Sequence, residues 1–298
     1  MMMGARVAET TAIEWTDSTI NFWWGCSKVS IGCEHCYAEA WSKRIGEQLF
    51  GAGVPRRKIK SAWTALRKLH HGAPSFNQKH GRRRRVFLQS MSDLFDKEVP
   101  EEWFDEAWAG VTFAHAVNLQ IVTKRVSYVE KRLDGREWPQ HAGLIISVVD
   151  QFEANRDIPR LIDLKARLGI PWIGLSMEPL LGHVVLKPEW LAALDCVIVG
   201  GESGPHARPM HPEWVISLRD QCKAARVPFF FKQWGEWLAV GDWYESHPVS
   251  LPLKVWHCGR WRDDDGGLIG EWVAKIGKKA AGRLLWGQEH DGFPEALR

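Results

Sequence analysis

Residues 144–179 read LIISVVDQFEANRDIPRLIDLKARLGIPWIGLSMEP. The apolar, β-branched run 144–149 spells a strand, 151–168 carries helical spacing, and 171–176 spells a second strand. Two strands joined through a helix run parallel, because a parallel neighbour is reached only by a long return connection, and that crossover is right-handed. The same unit recurs outward in both directions. Further strands are expected at 21–25, 85–90, 118–123, 195–200 and 227–232, and further helices at 37–49, 100–115 and 212–225. The fold class is therefore α/β.

Polar residues close almost every one of these runs. Ser90, Ser92 and Asp93 follow the second strand; Thr123, Lys124 and Arg125 the third; Ser147 and Asp150 the fourth. Ser176 and Glu178 follow the fifth, Glu202 and Ser203 the sixth, and Lys232 and Gln233 the seventh. Parallel strands bring all of these to one face, and in a barrel they ring a single mouth, where barrel enzymes carry out their chemistry. A complete or partial (β/α) barrel over residues 1–237 is expected. Beyond it the text turns rich in Pro, Gly and Trp, with an acidic turn at Asp263, Asp264 and Asp265. Residues 238–298 are expected to form a C-terminal extension packed on the barrel.

Composition sets the outer limits. The chain has 298 residues, 45% hydrophobic and 25% charged, with a formal net charge of +3, which excludes a disulfide-stapled miniprotein and a disordered tail. No run approaches the ~18 apolar residues of a membrane span, and the opening lacks a basic start followed by an apolar stretch. No membrane association and a cytoplasmic location are expected. The net charge does not by itself imply nucleic-acid binding, but Arg82 to Arg85, together with Arg56, Arg57 and Lys58, offer cations to a phosphate backbone, and Trp63 and Phe76 offer stacking surfaces. Lys278, Lys279 and Arg283 are equally suited to an acidic substrate or to a solvated helix face.

The most specific local signal is GCSKVSIGCEHCYAEA at 25–40, which puts Cys26, Cys33 and Cys36 in a glycine-bearing loop between a strand and a helix. Six cysteines are too sparse for a disulfide framework, whereas three thiolates gathered at a strand end form a metal-ligand arrangement. A [4Fe-4S] cluster on three thiolates leaves one iron open to a small molecule. A zinc site needs a fourth ligand, for which Cys196, Cys222, Cys258 and His257 are available, and three buried core cysteines are the plain alternative. Trp23 and Trp24, beside the loop, are placed to shield it from water; the chain's 18 tryptophans otherwise fill a large core.

Seven motifs carry a resemblance: IEWTDSTINFWWGCSKVSIGCEHCYAE, SMSDLF, VTKR, SMEPLLG, VIVGGESGPHARPMH, VPFFFKQWGEW and GKKAAGRLL, spanning 13–285. They are similar to a phage-associated family of uncharacterised three-cysteine-motif proteins that resembles the radical S-adenosylmethionine enzymes. The resemblance implies a [4Fe-4S] cluster on Cys26, Cys33 and Cys36, whose open iron takes the amino and carboxylate groups of S-adenosylmethionine. It further implies an electron donor protein and a substrate that is unknown, with nucleic acid and nucleotides among the candidates. His35, just before the last cysteine, and Tyr37, just after it, would lie against the cofactor, with Ser92, Ser147 and Ser176 as further contacts. Asp93, Lys124, Glu178, Glu202 and Lys232 are the charged candidates for holding cofactor or substrate. The chain departs from the superfamily in having six residues between Cys26 and Cys33 instead of three. Its Gly200, Gly201 and Glu202 also follow a late strand instead of an early one. The alternative is a zinc-stabilised nucleic-acid-binding protein without redox chemistry.

Overall fold

The computed structural model describes residues 10–239, 252–263 and 270–294. Strand β1 (Ser18–Ile20) opens the main sheet, and β2 (Trp23–Trp24) pairs antiparallel with β3 (Arg57–Lys58) in a small ribbon. The main sheet continues with β4 (Arg85–Leu88), β5 (Asn118–Thr123), β6 (Ala142–Ser147), β7 (Ile173–Met177), β8 (Cys196–Gly200) and β9 (Phe229–Gln233), hydrogen-bonded in that order after β1. All six pairings are parallel. Helices α1 (Tyr37–Arg44), α2 (Ala62–His71) and α3 (Ala73–His80) lie between β1 and β4. The later crossovers carry α4 (Glu101–Phe113), α5 (Val129–Leu133), α6 (Gln151–Leu168), α7 (Pro188–Ala193) and α8 (Pro212–Ala225).

Helix α6 shows how the sequence sets such boundaries. The Asp150 carboxylate accepts from the Glu153 amide at 2.9 Å, capping the start, and Gly169 ends the helix in the left-handed conformation that needs no Cβ. Its buried residues Ala154, Ile158, Leu161 and Leu164 recur with helical period against the sheet.

Alternation along the strands builds two cores. Leu144, Ile146, Leu175, Val197 and Val199 face the helices in the main core. Their neighbours Phe87, Ile145, Ile198 and Phe230 meet Trp15, Trp172 and Cys196 in a second, inner cluster. Phe87 on β4 and Phe230 on β9 stand five strands apart, about 24 Å in a flat sheet. The Phe293 ring spans them, with its centroid 5.1 Å from that of Phe230 and 3.8 Å from the Arg85 guanidinium of β4. The sheet is thus curled into a half-barrel, and because β1 and β9 are not paired with each other it is a partial barrel, not a closed one.

The first sheet strand lies at 18–20, not at 21–25 as the apolar run suggests. Asn21 uses its side chain on Ser90 Oγ (3.0 Å) and on the Met91 amide (2.8 Å), and the Trp23–Trp24 pair turns away to β3, with Trp23 fully buried as core. After β9 come β10 (Trp237–Ala239), β11 (Leu253–His257), β12 (Arg260–Asp263) and β13 (Glu271–Lys275) in an antiparallel sheet of order β10-β13-β11-β12, then α9 (Lys278–Ala281). Of the acidic turn, Asp263 ends β12, and Asp264 and Asp265 lie outside the described residues. The chain then returns to the half-barrel: the Phe231 amide donates to His290 O and the Gly292 amide to Phe229 O, both at 2.9 Å, which covers the edge of β9. Among the described residues no helix is long and apolar enough to cross a membrane.

Candidate active site

Local backbone chemistry shapes the cysteine loop. Gly25 adopts φ +96°, and a Cβ there would stand 2.1 Å from Leu49 O, so only glycine allows the chain to enter the loop. Ser30 then caps a 3-10 turn over Ile31–Cys33, its hydroxyl accepting from the Gly32 amide and its carbonyl from the Cys33 amide, both at 2.9 Å. Gly32 lies flat on the end of the barrel, where a Cβ would come within 2.7 Å of Val149 Cγ1. Cys36 occupies the N-cap position of α1. All three cysteines are free thiols and half-buried, and burial pushes the Cys26 and Cys36 thiols up.

Two buried ionic networks tether this loop to the strand ends. In the first, Asp93 accepts from Thr123 Oγ1 (2.8 and 3.0 Å), from the Lys124 amide (3.0 Å) and from the Phe95 amide (3.0 Å), and pairs with Arg125 at 3.1 Å. Arg125 in turn donates to the Ser27 carbonyl, next to Cys26, at 2.6 Å, and Arg56 pairs with the adjoining Asp96 at 2.8 Å. Burial works against the Arg125 charge, but Asp93, the nearby Cys26 and Asp96 outweigh it and raise its pKa. In the second network, Glu202 accepts from the Arg208 amide (2.8 Å), Nε (2.9 Å) and Nη2 (2.6 Å) and lies 3.1 Å from His35 Nδ1. Arg208 also donates to Ile31 O (3.0 Å) and Glu34 (2.9 Å), so it staples the β8 end to the loop. Burial pushes the Glu202 carboxyl up, and Arg208 and His35 more than offset this, holding it below the usual carboxylate range. A third pair, Lys232 with Glu178 at 2.7 Å, bridges the ends of β9 and β7, and Ser176 Oγ donates to Glu178 at 3.1 Å.

Above the inner cluster the half-barrel encloses a cavity of about 430 Å³. Cys26, Cys33 and Cys36 line it, together with Asp93, Lys124, Glu178, Glu202 and Lys232, and with His35, Tyr37, Ser92, Ser147 and Ser176. All the candidates taken from the sequence therefore share one space. Their chemistry differs: the Asp93 carboxylate is fully engaged by its neighbours, the Ser92 hydroxyl donates to Trp23 O at 2.9 Å, and the Tyr37 hydroxyl donates to Ser90 O. The Lys124 ammonium has no ion-pair or hydrogen-bond partner among the described residues. A larger, more open cavity of about 1160 Å³ adjoins it, sharing His35, Cys36, Tyr37, Ser90 and Ser203.

None of the four distant candidates for a fourth zinc ligand comes to this place, and the local one, His35, lines the cavity with its Nδ1 on Glu202. Cys196 sits at the opposite end of β8 in the inner cluster, Cys222 is buried in α8, and His257 and Cys258 belong to the β11–β12 hairpin; none lines the cavity. Among the described residues no group of three or more His, Cys, Asp or Glu side chains converges on a single ion. A four-iron cluster places each thiolate on a different iron, so it needs three sulfurs around one space and not at one point, and Cys26, Cys33 and Cys36 do line one cavity.

The family model for proteins of unknown function, DUF5131, matches residues 10–294. The chain belongs to the DUF5131 family. No curated protein matches its sequence. Among solved structures, it is similar in chain path to a tyrosine-to-phenylalanine variant of spore photoproduct lyase, with TM-score 0.47 and 10% identity, over 78% of this chain and 80% of that one. A cysteine-to-serine variant of the lyase gives TM-score 0.43 and 13% identity, over 74% and 77%. A cysteine-to-alanine, serine-to-cysteine variant with bound AdoMet and dinucleoside spore photoproduct gives TM-score 0.39 and 13% identity, over 87% and 68%.

In this DUF5131 chain several site residues had no signal of their own in the sequence. Trp15 and Gln89, each 2% exposed, line the cavity, whereas Lys278, one of the basic C-terminal candidates, does reach it from the C-terminal extension. Arg125 and Arg208 stand in recognisable motifs, but only the fold shows that they hold the loop. The basic run is engaged within the fold, with Arg85 buried and Arg82, Arg83 and Arg84 half-buried. Arg82 makes a two-pronged contact with Asp17 (2.7 and 2.8 Å), Arg83 donates to the carbonyls of His115 and Val117, and Arg84 and Arg85 lie over Phe76 and Phe293. Arg56 is buried on Asp96, Arg57 pairs with Glu47 and Lys58 with Glu106, while Trp63 donates to Glu106 O. These cations already have partners within the fold, which lowers their availability to a phosphate backbone.

Proposed function

We propose that this protein is an iron-sulfur enzyme of the radical S-adenosylmethionine-like class, with Cys26, Cys33 and Cys36 as ligands of a [4Fe-4S] cluster and S-adenosylmethionine as cofactor. The observation that carries this reading is the meeting of three free thiols and a ring of strand-end charges in one cavity of about 430 Å³. With cluster and cofactor bound, such a site supplies one-electron cleavage of a carbon–sulfur bond and hydrogen abstraction from substrate.

The chain's own residues divide the remaining work. Arg125, oriented by Asp93, fixes the Ser27 carbonyl beside the first cysteine, and Arg208 with Glu202 fixes the turn before the last. Both are positioning pairs whose buried charges are compensated within the protein. Glu178 and Lys232 form a polar pair on the barrel wall, and His35, Tyr37, Ser92, Ser147 and Ser176 supply hydrogen-bonding and stacking surface toward the cofactor. Lys124, facing the same space without a partner among the described residues, is the group left to take a carboxylate or phosphate. The half-barrel and Tyr37 exclude water from reactive species. An electron donor protein and a reducing compartment such as the cytoplasm complete the reading.

Anaerobic reconstitution with iron and sulfide, followed by metal analysis and electron paramagnetic resonance of the reduced protein, tests it. A cluster signal that shifts on adding S-adenosylmethionine and is lost in Cys33→Ala is the expected result. Stoichiometric zinc without a cluster would refute it and favour the zinc-binding alternative.

A further inference from the structure

The two adjoining cavities are unbalanced in charge. Every carboxylate that lines either of them is already ion-paired: Glu34 and Glu202 with Arg208, Glu39 with Lys28 and Lys43, Asp93 with Arg125, and Glu178 with Lys232. Three lining cations have no hydrogen-bond or ion-pair partner among the described residues. Lys124 is half-buried at the end of β5, Arg44 is exposed at the end of α1, and Lys278 is exposed on the rim contributed by the C-terminal extension. They come from three distant parts of the chain, Arg44 onto the larger cavity and Lys124 and Lys278 onto the smaller one that adjoins it. S-adenosylmethionine, with one carboxylate and two positive centres, carries one net positive charge, and a three-thiolate [4Fe-4S] cluster in its oxidised state one net negative charge, so together they leave this excess uncompensated. Cations held around a partly dry cavity call for an anionic ligand.

The wall between these cations is aromatic. Trp24 and Trp41 meet edge-to-face at 4.7 Å, and the His35 and His206 rings lie 5.9 Å apart. Tyr37 is 53% exposed, yet its hydroxyl is tied to Ser90 O, so it presents a fixed ring to the opening. A cationic rim around fixed aromatic faces is the arrangement that takes phosphates at its edge and planar bases against its wall. The larger cavity, about 1160 Å³, has room for more than one such unit beside a cofactor seated in the smaller.

We infer that the substrate of this site is a nucleoside phosphate, held through separate phosphate groups by Lys124 and Lys278 at the smaller cavity and Arg44 at the larger, and by the Tyr37–Trp41 wall through its base. That it is a substrate, and not merely a ligand, rests on the enzyme reading above. A free nucleotide and a single strand offer the same chemistry, and the test separates them.

Anisotropy of a dye-labelled single-stranded oligodeoxynucleotide is titrated with the protein before and after cluster reconstitution, and iron content is read on the same samples. Binding is expected to weaken with salt and to fall tenfold or more in the double variant Arg44→Glu, Lys278→Glu. The salt slope should drop by about 1.4, at roughly 0.7 for each phosphate contact on a single strand. Both side chains are exposed, so the melting temperature should not change. Competition by mononucleotides assigns the free nucleotide; competition by strands alone assigns the single strand. No binding of either at low salt overturns the inference, as does equal affinity for wild type and the charge-reversed variant. Nucleotide binding by a protein that takes zinc and no cluster sinks the iron-sulfur reading alone, and a cluster without nucleotide binding sinks this inference alone.

Discussion

Gly32→Ala should loosen the cysteine loop for a purely steric reason. Gly32 does not occupy the left-handed region, so alanine suits its backbone, but the added methyl would stand 2.7 Å from Val149 Cγ1, with Pro179 Cδ behind it at 3.5 Å. Carbon–carbon contacts settle at roughly 3.5–4.0 Å, so about 1 Å must be found. Val149 is fully buried and β-branched and cannot turn aside, which leaves the loop to lift off the barrel end and take Cys33 with it. Overpacking of this kind costs about 1–3 kcal/mol. Val149→Ala alone removes two buried methyl-sized groups and should cost about 1–3 kcal/mol by leaving a cavity. In the double variant the new methyl at 32 enters the vacated space, so the combined loss should fall short of the sum by about 1 kcal/mol or more. Urea unfolding of the four proteins at matched m-values measures this, and iron retained after reconstitution should follow the same order. A Gly32→Ala protein within about 0.5 kcal/mol of wild type, or strict additivity, would refute the claim that the loop is seated on Val149.

Two further expectations concern other parts of the structure. Arg208→Ala strips the guanidinium from the Glu202 side chain, 4% exposed, leaving it the residue-208 backbone amide and His35, and should destabilise by about 2–4 kcal/mol. This is below the fully buried case because Arg208 is itself 26% exposed. Adding Glu202→Gln should recover part of the loss in urea titrations, and a variant pair that behaves additively counts against the staple. His141 is buried with Nε2 2.7 Å from Val111 O, and burial lowers its pKa, so below about pH 6.5 the unfolded chain binds the proton more readily than the fold does. Stability from this group is therefore full above that pH and declines on acidification. Melting temperatures from about pH 7.5 down to about pH 5.5 should fall more steeply for wild type than for His141→Gln, and parallel curves would show that His141 carries no such linkage.

Much of the site was legible because strand-to-loop transitions leave a mark in the sequence. Periodicity located α6 and α8 with their ends, since Asp150 and Gly169 are boundary residues whose chemistry acts locally. Polar residues after each strand then converged on one cavity for the simple reason that parallel strands share a direction. Less legible were β1, where three residues carry the pairing and the more apolar Trp23–Trp24 fills the core, and helices α2 and α3 in the long first crossover. The C-terminal sheet was invisible as well, its strands pairing across sequence gaps that no local period records.

The sequence by itself determined the α/β class, the cysteine loop and the residues at the barrel mouth, because these depend on patterns within one element or its immediate boundary. Which charges remain available was decided only by tertiary structure. The arginines at 82–85 look like a nucleic-acid patch and are engaged by Asp17, by backbone carbonyls and by aromatic faces, while Lys124 and Lys278, two among many candidates in the sequence, and Arg44, which nothing in the sequence marks, line the adjoining cavities without partners among the described residues. The physical reason is that a charge is neutralised by whatever the fold brings within a few ångströms of it, and that distance is set by packing between segments that local sequence patterns do not relate.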